Sequence, residues 1–375
     1  MIQNEMAATK KSILLYGPRQ VGKSTLIKSL KPDLTINLAE EDTYLDFAQD
    51  LSRLKSMIER QSPKTIFIDE VQRIPSILNS VQALVDDNPK LKFYLTGSSA
   101  RKLKKGGANL LPGRVLNYRL GPLTIKELNY KYQIQDLQFG YLPGIYSESD
   151  LKVKKQILTS YSSNYVTEEI KSESLVRDLP AFSRFLLSST ESVGQFVDYS
   201  KISKSAKISR HSVPRYYEIF EDTLVGQRIF PDFQLVDKYD LIKHPKFYFF
   251  DIGVYNGLVK SFDLSPERLG ILTEQLIYQQ LLSSAQSLSL DIDIHSLRTR
   301  SGVEIDFWIK LEGKRFGIEV KTSDKLSNSD VRHLVLFKKN EPKAQYFLFH
   351  FGQKETKIDN IWCLPWSKGF KDIGL

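Results

Sequence analysis

The sequence is poor in cysteine and in long apolar segments, and each shortage excludes a class of protein. Its single cysteine, Cys363, excludes an intramolecular disulfide framework and is typical of a reducing compartment. The longest apolar runs, such as FYFFDIGV and YFLFHF, are much shorter than the ~20 residues that a membrane-spanning helix needs. The N-terminus has no apolar core of a secretion signal. We therefore expect a soluble, cytoplasmic protein that does not enter a membrane.

The chain is long enough for several domains and carries an excess of basic residues. It has 375 residues, of which 41% are hydrophobic, whereas single domains usually have ~100–200 residues. Lys and Arg number 53 against 44 Asp and Glu, which gives a formal net charge of +9. This excess fits a nucleic-acid partner. An interpretation that is nearly as good is that the surface charge only keeps the protein soluble.

The segment GPRQVGKST matches the phosphate-binding pattern G-x-x-x-x-G-K-[ST] at every fixed position. The apolar run SILLY before it indicates a strand, and KSTLIKSL after it has helical spacing. Glycines let successive backbone N–H groups point at phosphate oxygens, while Lys23 would reach the β and γ phosphates and Ser24 would ligate Mg²⁺. The predicted nucleotide site comprises Gly17, Pro18, Arg19, Gln20, Val21, Gly22, Lys23, Ser24 and Thr25.

Two acids follow a second apolar run, in KTIFIDEVQRIP. Thr65 to Ile68 predict a strand, and Asp69 and Glu70 lie where its carboxyl end would emerge. Ligands bind at that edge of open parallel sheets. Asp69 would hold Mg²⁺, usually through a water molecule, and Glu70 would orient and deprotonate the attacking water. A nucleotide kinase would not need the second acid, so the pair favours a hydrolase.

Two further residues are candidates for the same reaction. Ser98 or Ser99, at the end of a third strand LKFYLTGSSA, would sense the γ-phosphate if that strand lies between the first two; the alternative is an ordinary turn. Arg114 precedes a probable fifth strand. If it is exposed at a subunit edge of a homo-oligomer, it would act in trans on the neighbour's γ-phosphate, a contribution of ~10³–10⁵ in rate where it operates.

The segments GPRQVGKST, IFIDEVQRIP, LTGSSARKL and LPGRV…YRLGPLTIKEL together resemble those of prokaryotic AAA+-like ATPases that end in a conserved domain of unknown function. The resemblance extends over nearly the whole chain. It implies that ATP is the nucleotide, since no residue quoted above recognises the base. It also implies that YLPGIY, at residues 141–146, closes the ATPase region.

The middle of the chain predicts helices and a helix-turn-helix element. The stretch VDYSKISKSAKISRHSVPRYYEIFEDTLVGQRIFP has a helix, a short turn, a second helix and a probable β-wing. Arg210 and Arg215 follow the turn and would contact DNA phosphates or base edges. A winged helix behind an ATPase core also serves as a lid whose arginine senses nucleotide, and the sequence does not distinguish these two roles.

Near the C-terminus, LRTRSGVEIDFWIKLEGKRFGIEVKTSDKL predicts two strands joined by a hairpin. Alternation along paired strands would bring Asp306, Glu319 and Lys321 together. This pattern resembles the restriction-endonuclease-like fold, and Glu274 falls where that superfamily keeps a helix acid. Asp306, Glu319 and Glu274 would then hold Mg²⁺ or Mn²⁺ for phosphodiester cleavage. The simpler interpretation is a surface ion pair, which contributes only ~0–1 kcal/mol.

The sequence thus predicts an α/β chain with three domains. Residues 1–150 form an AAA+-like P-loop ATPase with a parallel sheet, residues 151–255 a helical linker and winged-helix region, and residues 256–375 an α/β restriction-endonuclease-like domain. The predicted function is a Mg²⁺-dependent ATPase whose nucleotide state gates a DNA-binding, nuclease-like C-terminal half. The alternative is an ATP-dependent switch whose C-terminal half only binds DNA or protein.

Overall fold

The computed structural model describes residues 2–98, 113–161 and 178–375. These residues divide into two compact units, one extending to Gly121 and including Asp222–Leu224, the other comprising Pro122–Glu221 and Val225–Leu375. Each unit has its own sheet and its own core. Across the described ranges, no helix is both long and apolar enough to cross a membrane.

The first unit contains a parallel sheet with helices in the connections. Each strand is followed by a polar or glycine-containing turn, as the alternation of strand and helix patterns predicts. The strands are β1 (Ser12–Tyr16), β2 (Leu34–Asn37), β3 (Thr65–Asp69), β4 (Lys92–Gly97) and β5 (Val115–Arg119); the helices are α1 (Ile2–Ala8), α2 (Lys23–Ser29), α3 (Glu41–Gln49), α4 (Arg53–Gln61) and α5 (Ile77–Asp87).

The strand order of this sheet is β2-β3-β4-β1-β5, and every neighbouring pair is parallel. β4 therefore lies between β1 and β3, which confirms the position expected for the third predicted strand. Because all strands run the same way, the carboxyl ends of β1, β4 and β3 meet at one edge of the sheet. The segments that follow these strands supply the candidate nucleotide site.

Both faces of this sheet are covered. Ile66 and Ile68 of β3 pack on one face with residues from α3, α4 and α5, while Phe67 packs on the other with Met6 and Ile27. This alternation follows from the period of two along a strand. Each fully buried side chain of this size contributes ~1.5–3 kcal/mol. The two cores fix the sheet edge on which the site is built.

The second unit is a mixed α/β assembly. Its helices are α6 (Asp136–Phe139), α7 (Pro143–Ser147), α8 (Leu151–Ser160), α9 (Leu179–Thr190), α10 (Tyr199–Ala206), α11 (Ser212–Asp222), α12 (Phe233–Tyr239), α13 (Ile252–Val259), α14 (Pro266–Ser287), α15 (Asn328–Asn340) and α16 (Trp366–Ile373). Its strands are β6 (Gly226–Ile229), β7 (Lys246–Phe249), β8 (Ile292–Arg298), β9 (Glu304–Leu311), β10 (Lys314–Lys321), β11 (Gln345–His350), β12 (Thr356–Ile358) and β13 (Ile361–Pro365).

Six strands of the second unit form a sheet of order β12-β13-β11-β10-β9-β8. β8, β9 and β10 are antiparallel neighbours, and β10 continues into parallel pairing with β11. The predicted hairpin between β9 and β10 is present, and its turn residues Glu312 and Gly313 have φ of 47° and 76°. Two successive positive φ values are typical of the tight turns that join antiparallel strands.

Helices α9, α10 and α11 precede a two-stranded antiparallel sheet of β6 and β7. Aromatic rings join these elements: Phe182 and Phe185 of α9, Tyr217 and Phe220 of α11, and Phe247 of β7 have contacting ring centroids 4.9–5.6 Å apart. Pairs of this geometry add ~0.5–1.5 kcal/mol each to the burial of their area. The predicted helix-turn-helix segment is therefore helical and packed, while its identity as a winged helix stays a prediction.

Asp251 organises the region around α13. It is fully buried, caps α13 by accepting from the Val254 N–H at 3.0 Å, and accepts from the Tyr141 N–H at 2.9 Å. Burial raises the pKa of Asp251 to about 6, although these N–H donors oppose the shift. The close approach leaves no room for a side chain at Gly253, where an added Cβ would lie 2.1 Å from the Phe139 carbonyl oxygen.

We expect Gly253→Ala to destabilise the protein and Gly270→Ala to leave it unchanged or slightly more stable. Both glycines lie inside helices, where alanine is intrinsically better by ~1 kcal/mol. A Cβ at Gly270 meets nothing within 4 Å, whereas one at Gly253 collides with backbone, and such overpacking costs ~1–3 kcal/mol. Thermal unfolding of the two variants measures the difference, and equal melting temperatures would contradict the close packing around Asp251.

Candidate functional site

The loop between β1 and α2 turns tightly and includes residues with left-handed backbone conformations. Gly22 begins α2 with a left-handed φ of 92°, and Gln20 has a φ of 61°. Gly17 is fixed by its surroundings, because an added Cβ would lie 2.1 Å from the carbonyl oxygen of Leu120. Its N–H donates to the carbonyl oxygen of Gly97 at 3.3 Å. The loop is therefore anchored to β4 and to the residue that follows β5.

Lys23 is held inside this loop. Its ammonium group donates to the carbonyl oxygens of Gly17 at 2.9 Å and Pro18 at 2.7 Å, and only 4% of the residue is exposed. Val21 is also buried, while Gln20 and Thr25 are exposed and Arg19 is half-buried. The ammonium thus lies against the backbone that the pattern predicts to surround phosphate.

Asp69 connects the loop to the two central strands. Its Oδ1 accepts from the Ser24 hydroxyl at 2.9 Å and from the Thr96 hydroxyl of β4, and the residue is 6% exposed. The structure thus brings Ser24 and Asp69 together, as their predicted roles require. Hydroxyl and carboxylate oxygens are ligands that Mg²⁺ prefers, directly or through a bound water molecule. The pair therefore suits this ion.

Glu70 has an unusual backbone and a fixed carboxylate. Its φ of 58° and ψ of 46° lie in the left-handed region, which costs a non-glycine residue roughly 1–2 kcal/mol. Its Oε2 accepts from Gln72 Nε2 and, at 3.2 Å, from the Ser98 hydroxyl. Strain of this kind persists where surrounding contacts fix the backbone, and it is common at functional sites. The contacts of Glu70 supply that constraint.

Sequence reasoning missed Thr96 and Gln72. Thr96 is the penultimate residue of β4 and its side chain is fully buried. Gln72 donates to Ser98 Oγ at 2.8 Å, and its buried Oε1 has no hydrogen-bond partner within the described ranges. Gln72 could have been noticed because it follows Glu70 by two residues in the segment DEVQ. Thr96 resembles any polar residue near the end of a strand.

Arg114 lies at the amino end of β5, whereas the phosphate loop of its own chain follows the carboxyl end of β1. In the parallel pairing of β1 with β5, Ser12 is opposite Val115 and Tyr16 is opposite Arg119. A separation of five residues along a strand is roughly 16 Å. The Arg114 side chain is 38% exposed and pairs with Asp86. It can therefore meet a γ-phosphate only on another molecule, and its role in trans stays a prediction.

The second unit brings together the acids and the lysine predicted for the nuclease-like site. Asp306 Oδ2 on β9 accepts from the Val320 N–H of β10 at 2.9 Å, next to Glu319 in the chain. Lys321 donates to Glu319 Oε1 at 2.7 Å. Glu274 of α14 and Asp306 contact the same buried ammonium group. Pairing of the strands and docking of α14 therefore produce the predicted cluster.

That ammonium group belongs to Lys246, which the sequence did not reveal. Lys246 Nζ lies 2.9 Å from Glu274 Oε1, 2.9 Å from Glu304 Oε1 and 3.8 Å from Asp306 Oδ1. Only 2% of Lys246 is exposed. The hydroxyl of Tyr248, also on β7, donates to Glu274 Oε1. The acids are thus gathered around an internal cation.

The charges of this cluster shift one another's pKa values. Burial lowers the pKa of Lys246, but Glu274, Asp306 and Glu304 outweigh that effect, so the pKa lies above its ordinary value and the ammonium stays charged. Burial raises the pKa of Glu319, and Asp306 raises it further. Glu319 Oε2 has no hydrogen-bond partner in the described ranges. Within them, no three His, Cys, Asp or Glu side chains are arranged as a metal site.

The predicted helix-turn-helix exposes its basic residues. α10 ends at Ala206 and is followed by Lys207, which has a left-handed φ of 54°, and α11 begins at Ser212. Arg210 and Arg215 are exposed, while Val213 and Tyr217 of α11 are buried. The basic residues Lys201, Lys204, Lys207, Arg210, His211 and Arg215 are all exposed.

Comparison with known families divides the chain into three regions. Residues 9–129 match the family described as "AAA domain". Residues 131–265 and 269–368 match two families described as domains of unknown function, DUF8612 and DUF4143. With the loop, Lys23 and Asp69 described above, the first match identifies an AAA-like, ATP-binding domain of the P-loop class, followed by two regions of unestablished function.

Similar proteins occur in distant organisms. An uncharacterized protein of Haemophilus influenzae is 24% identical over 387 residues, covering 94% of this chain and 93% of the relative. One of Mycobacterium tuberculosis is 25% identical over 321 residues, covering 82% of this chain and 70% of the relative. A replication initiator DnaA bound to AMPPCP and single-stranded DNA is 12% identical, covers 59% of this chain and 86% of its own, and has a TM-score of 0.29.

Proposed function

We propose that the chain is a Mg²⁺-dependent ATPase. The observation that carries the proposal is the convergence of Lys23, Ser24, Asp69 and Glu70 at one edge of the first sheet, where Ser24 donates to Asp69 at 2.9 Å. The match to an AAA domain supports ATP as the nucleotide. A small-molecule kinase is disfavoured, because Glu70 adds a carboxylate that a kinase would not need at this position.

The side chains of the site have distinct tasks in this proposal. Lys23 binds the β and γ phosphates in place of its two carbonyl contacts, and Ser24 and Asp69 hold Mg²⁺. The bound metal would neutralise developing charge on the transferred phosphoryl group. Glu70 orients the attacking water and accepts its proton. Ser98 contacts the Glu70 carboxylate, so a γ-phosphate that draws Ser98 away would change how Glu70 is held.

We expect Lys23→Ala to lose ATP binding and Glu70→Gln to bind ATP normally while hydrolysing it ~10²–10⁴ times more slowly. The amide keeps the size of Glu70 and cannot accept the proton. Glu59→Gln makes the same change where the side chain is 67% exposed and should keep full turnover. Nucleotide binding and phosphate release measure the two effects. Undiminished turnover in Lys23→Ala would refute the proposed site.

Arg114 is proposed as a finger that acts on a neighbouring subunit of a homo-oligomer. Arg114→Ala should then bind ATP and hydrolyse it slowly, and mixing it with Lys23→Ala should restore part of the turnover. Asp86→Ala removes the partner of Arg114 while keeping the guanidinium, and should retain turnover. No recovery on mixing, at concentrations where the protein is oligomeric, would exclude a role in trans.

We further propose that the exposed basic surface of α10 and α11 binds DNA and that the ATPase cycle controls this binding. The support is physical: Arg210 lies in the turn between α10 and α11, Arg215 lies on α11, and both side chains are exposed. Side chains in this position contact phosphates or base edges in helix-turn-helix proteins. The net charge of +9 is compatible with the same partner.

Arg210→Ala and Arg215→Ala should each weaken DNA binding and reduce the slope of log affinity against log salt by about 1. Arg300→Ala removes a charge from a side chain that is 72% exposed elsewhere in the same unit and should have little effect. Fluorescence anisotropy with a duplex at several salt concentrations measures both quantities. An affinity that does not change with salt would contradict contacts to phosphates.

The C-terminal cluster presents a choice between cleaving DNA and only binding it. The convergence of Glu274, Asp306, Glu319 and Lys321 favours a nuclease-like fold. Lys246 opposes the metal-dependent reaction, because its ammonium lies among the carboxylates that would be ligands. We therefore favour the alternative in which the C-terminal half is a binding module. The roles of Glu274, Asp306 and Glu319 as metal ligands are not carried into this proposal.

A further inference from the structure

Lys246 lies where four carboxylates converge from three elements of the second unit. α14 supplies Glu274, β9 supplies Glu304 and Asp306, and β10 supplies Glu319. The ammonium is within 2.9 Å of two of these acids and 3.8 Å of a third. The cluster thus has a cation that is part of the chain.

This cation cannot easily leave the cluster. The backbone of Lys246 pairs with Ile229 of β6 on one side and forms a bridge with Phe196 on the other. Its ammonium lies 5.5 Å from the centre of the Phe196 ring, a cation–π contact. An exposed lysine could rotate into water, but this one is 2% exposed and paired on both edges of its strand.

A divalent metal would compete with the ammonium for the same oxygen atoms. Mg²⁺ binds oxygen ligands at ~2.0–2.1 Å. An ion bound to Glu274 Oε1 and Glu304 Oε1 would take the two oxygen atoms that Lys246 Nζ already contacts at 2.9 Å. Like charges that share a buried site repel each other, so the ammonium weakens the binding of a metal at these oxygens.

Two further cations pair with the acids of this cluster. Lys321 pairs with Glu319 at 2.7 Å, and Arg298 lies 3.4 Å from Glu304. Together with Lys246, three cations of the chain therefore pair with the four carboxylates, which leaves little negative charge for a further cation.

We propose that the Lys246 ammonium replaces a divalent metal in this cluster, so that the wild-type chain binds no metal there, and that removing this ammonium opens a site for Mg²⁺ or Mn²⁺. Glu274, Glu304 and Asp306 are not arranged as a metal site around the ammonium, and they would have to close on the ion in the opened site, because they are the acids that Lys246 contacts. The acids and lysines of the nuclease-like arrangement therefore remain together as ion pairs, with no bound metal. This inference does not depend on ATP turnover.

Mn²⁺ binding to nucleotide-free protein tests the proposal, measured by electron paramagnetic resonance or calorimetry. The proteins are wild type, Asp306→Asn, Lys246→Ala and Lys246→Ala/Asp306→Asn. Binding at Ser24 and Asp69 is common to all four and cancels in the comparison. Lys246→Ala should gain one Mn²⁺ per chain at least 10-fold more tightly than any binding by wild type, and the double variant should lose it.

The comparison of wild type with Asp306→Asn stays informative even if Lys246→Ala does not fold. Equal Mn²⁺ binding by these two proteins supports the proposal, whereas binding by wild type that Asp306→Asn abolishes overturns it. Lys246→Gln, which removes the charge and keeps most of the length of the side chain, is a second route to the opened site. A folded Lys246→Ala or Lys246→Gln that gains no Mn²⁺ also overturns the proposal.

Supercoiled DNA provides an independent readout that is separate from the ATPase. With Mg²⁺ or Mn²⁺, wild type and Lys321→Ala should both leave the plasmid intact, with or without ATP. Nicking by wild type that disappears in Lys321→Ala would show a working metal site and would overturn the replacement by Lys246. Neither result on DNA changes the expected loss of ATP turnover in Glu70→Gln. The proposal about Lys246 can therefore be wrong while the proposed ATPase is correct, and the reverse also holds.

Discussion

The position of β4 between β1 and β3 is the constraint on which the nucleotide site depends. Only this order lets Thr96, from the central strand, donate to the same carboxylate oxygen of Asp69 that accepts from Ser24. The order also puts Ser98 beside Glu70. Were β1 and β3 direct neighbours, the hydroxyls that hold the two acids would be absent. The apolar cores on both faces of the sheet thus determine where the polar groups meet.

The two units hold a buried lysine in different ways. In the first, Lys23 is held by backbone carbonyl oxygens that carry only partial charge, so it can exchange them for phosphate. In the second, Lys246 is held by full carboxylate charges, which attract far more strongly in a buried site. The first arrangement lets Lys23 exchange its carbonyl contacts for phosphate during nucleotide binding and release. The second keeps Lys246 in its ion pairs, which suits a structural role.

The sequence predicted the features that short motifs carry and missed a buried residue whose contacts come from distant segments. The loop, the two acids after β3 and the β9–β10 hairpin were readable because each is carried by a few adjacent residues with a definite spacing. Lys246 was not readable, since it follows His244 and Pro245 in a loop-like stretch and meets its acids only through pairing with Phe196 and docking of α14. No periodicity encodes such contacts. The domain limits 1–150, 151–255 and 256–375 stay predictions.

The left-handed backbone of Glu70 has an evolutionary consequence. Glycine would adopt this φ of 58° without steric cost, so a single base change from glutamate to glycine relieves strain while removing the proposed base. Relief of backbone strain and loss of turnover therefore run in the same direction at this position. A lineage that keeps glutamate here keeps a strained backbone, which is the trade-off expected where activity is under selection.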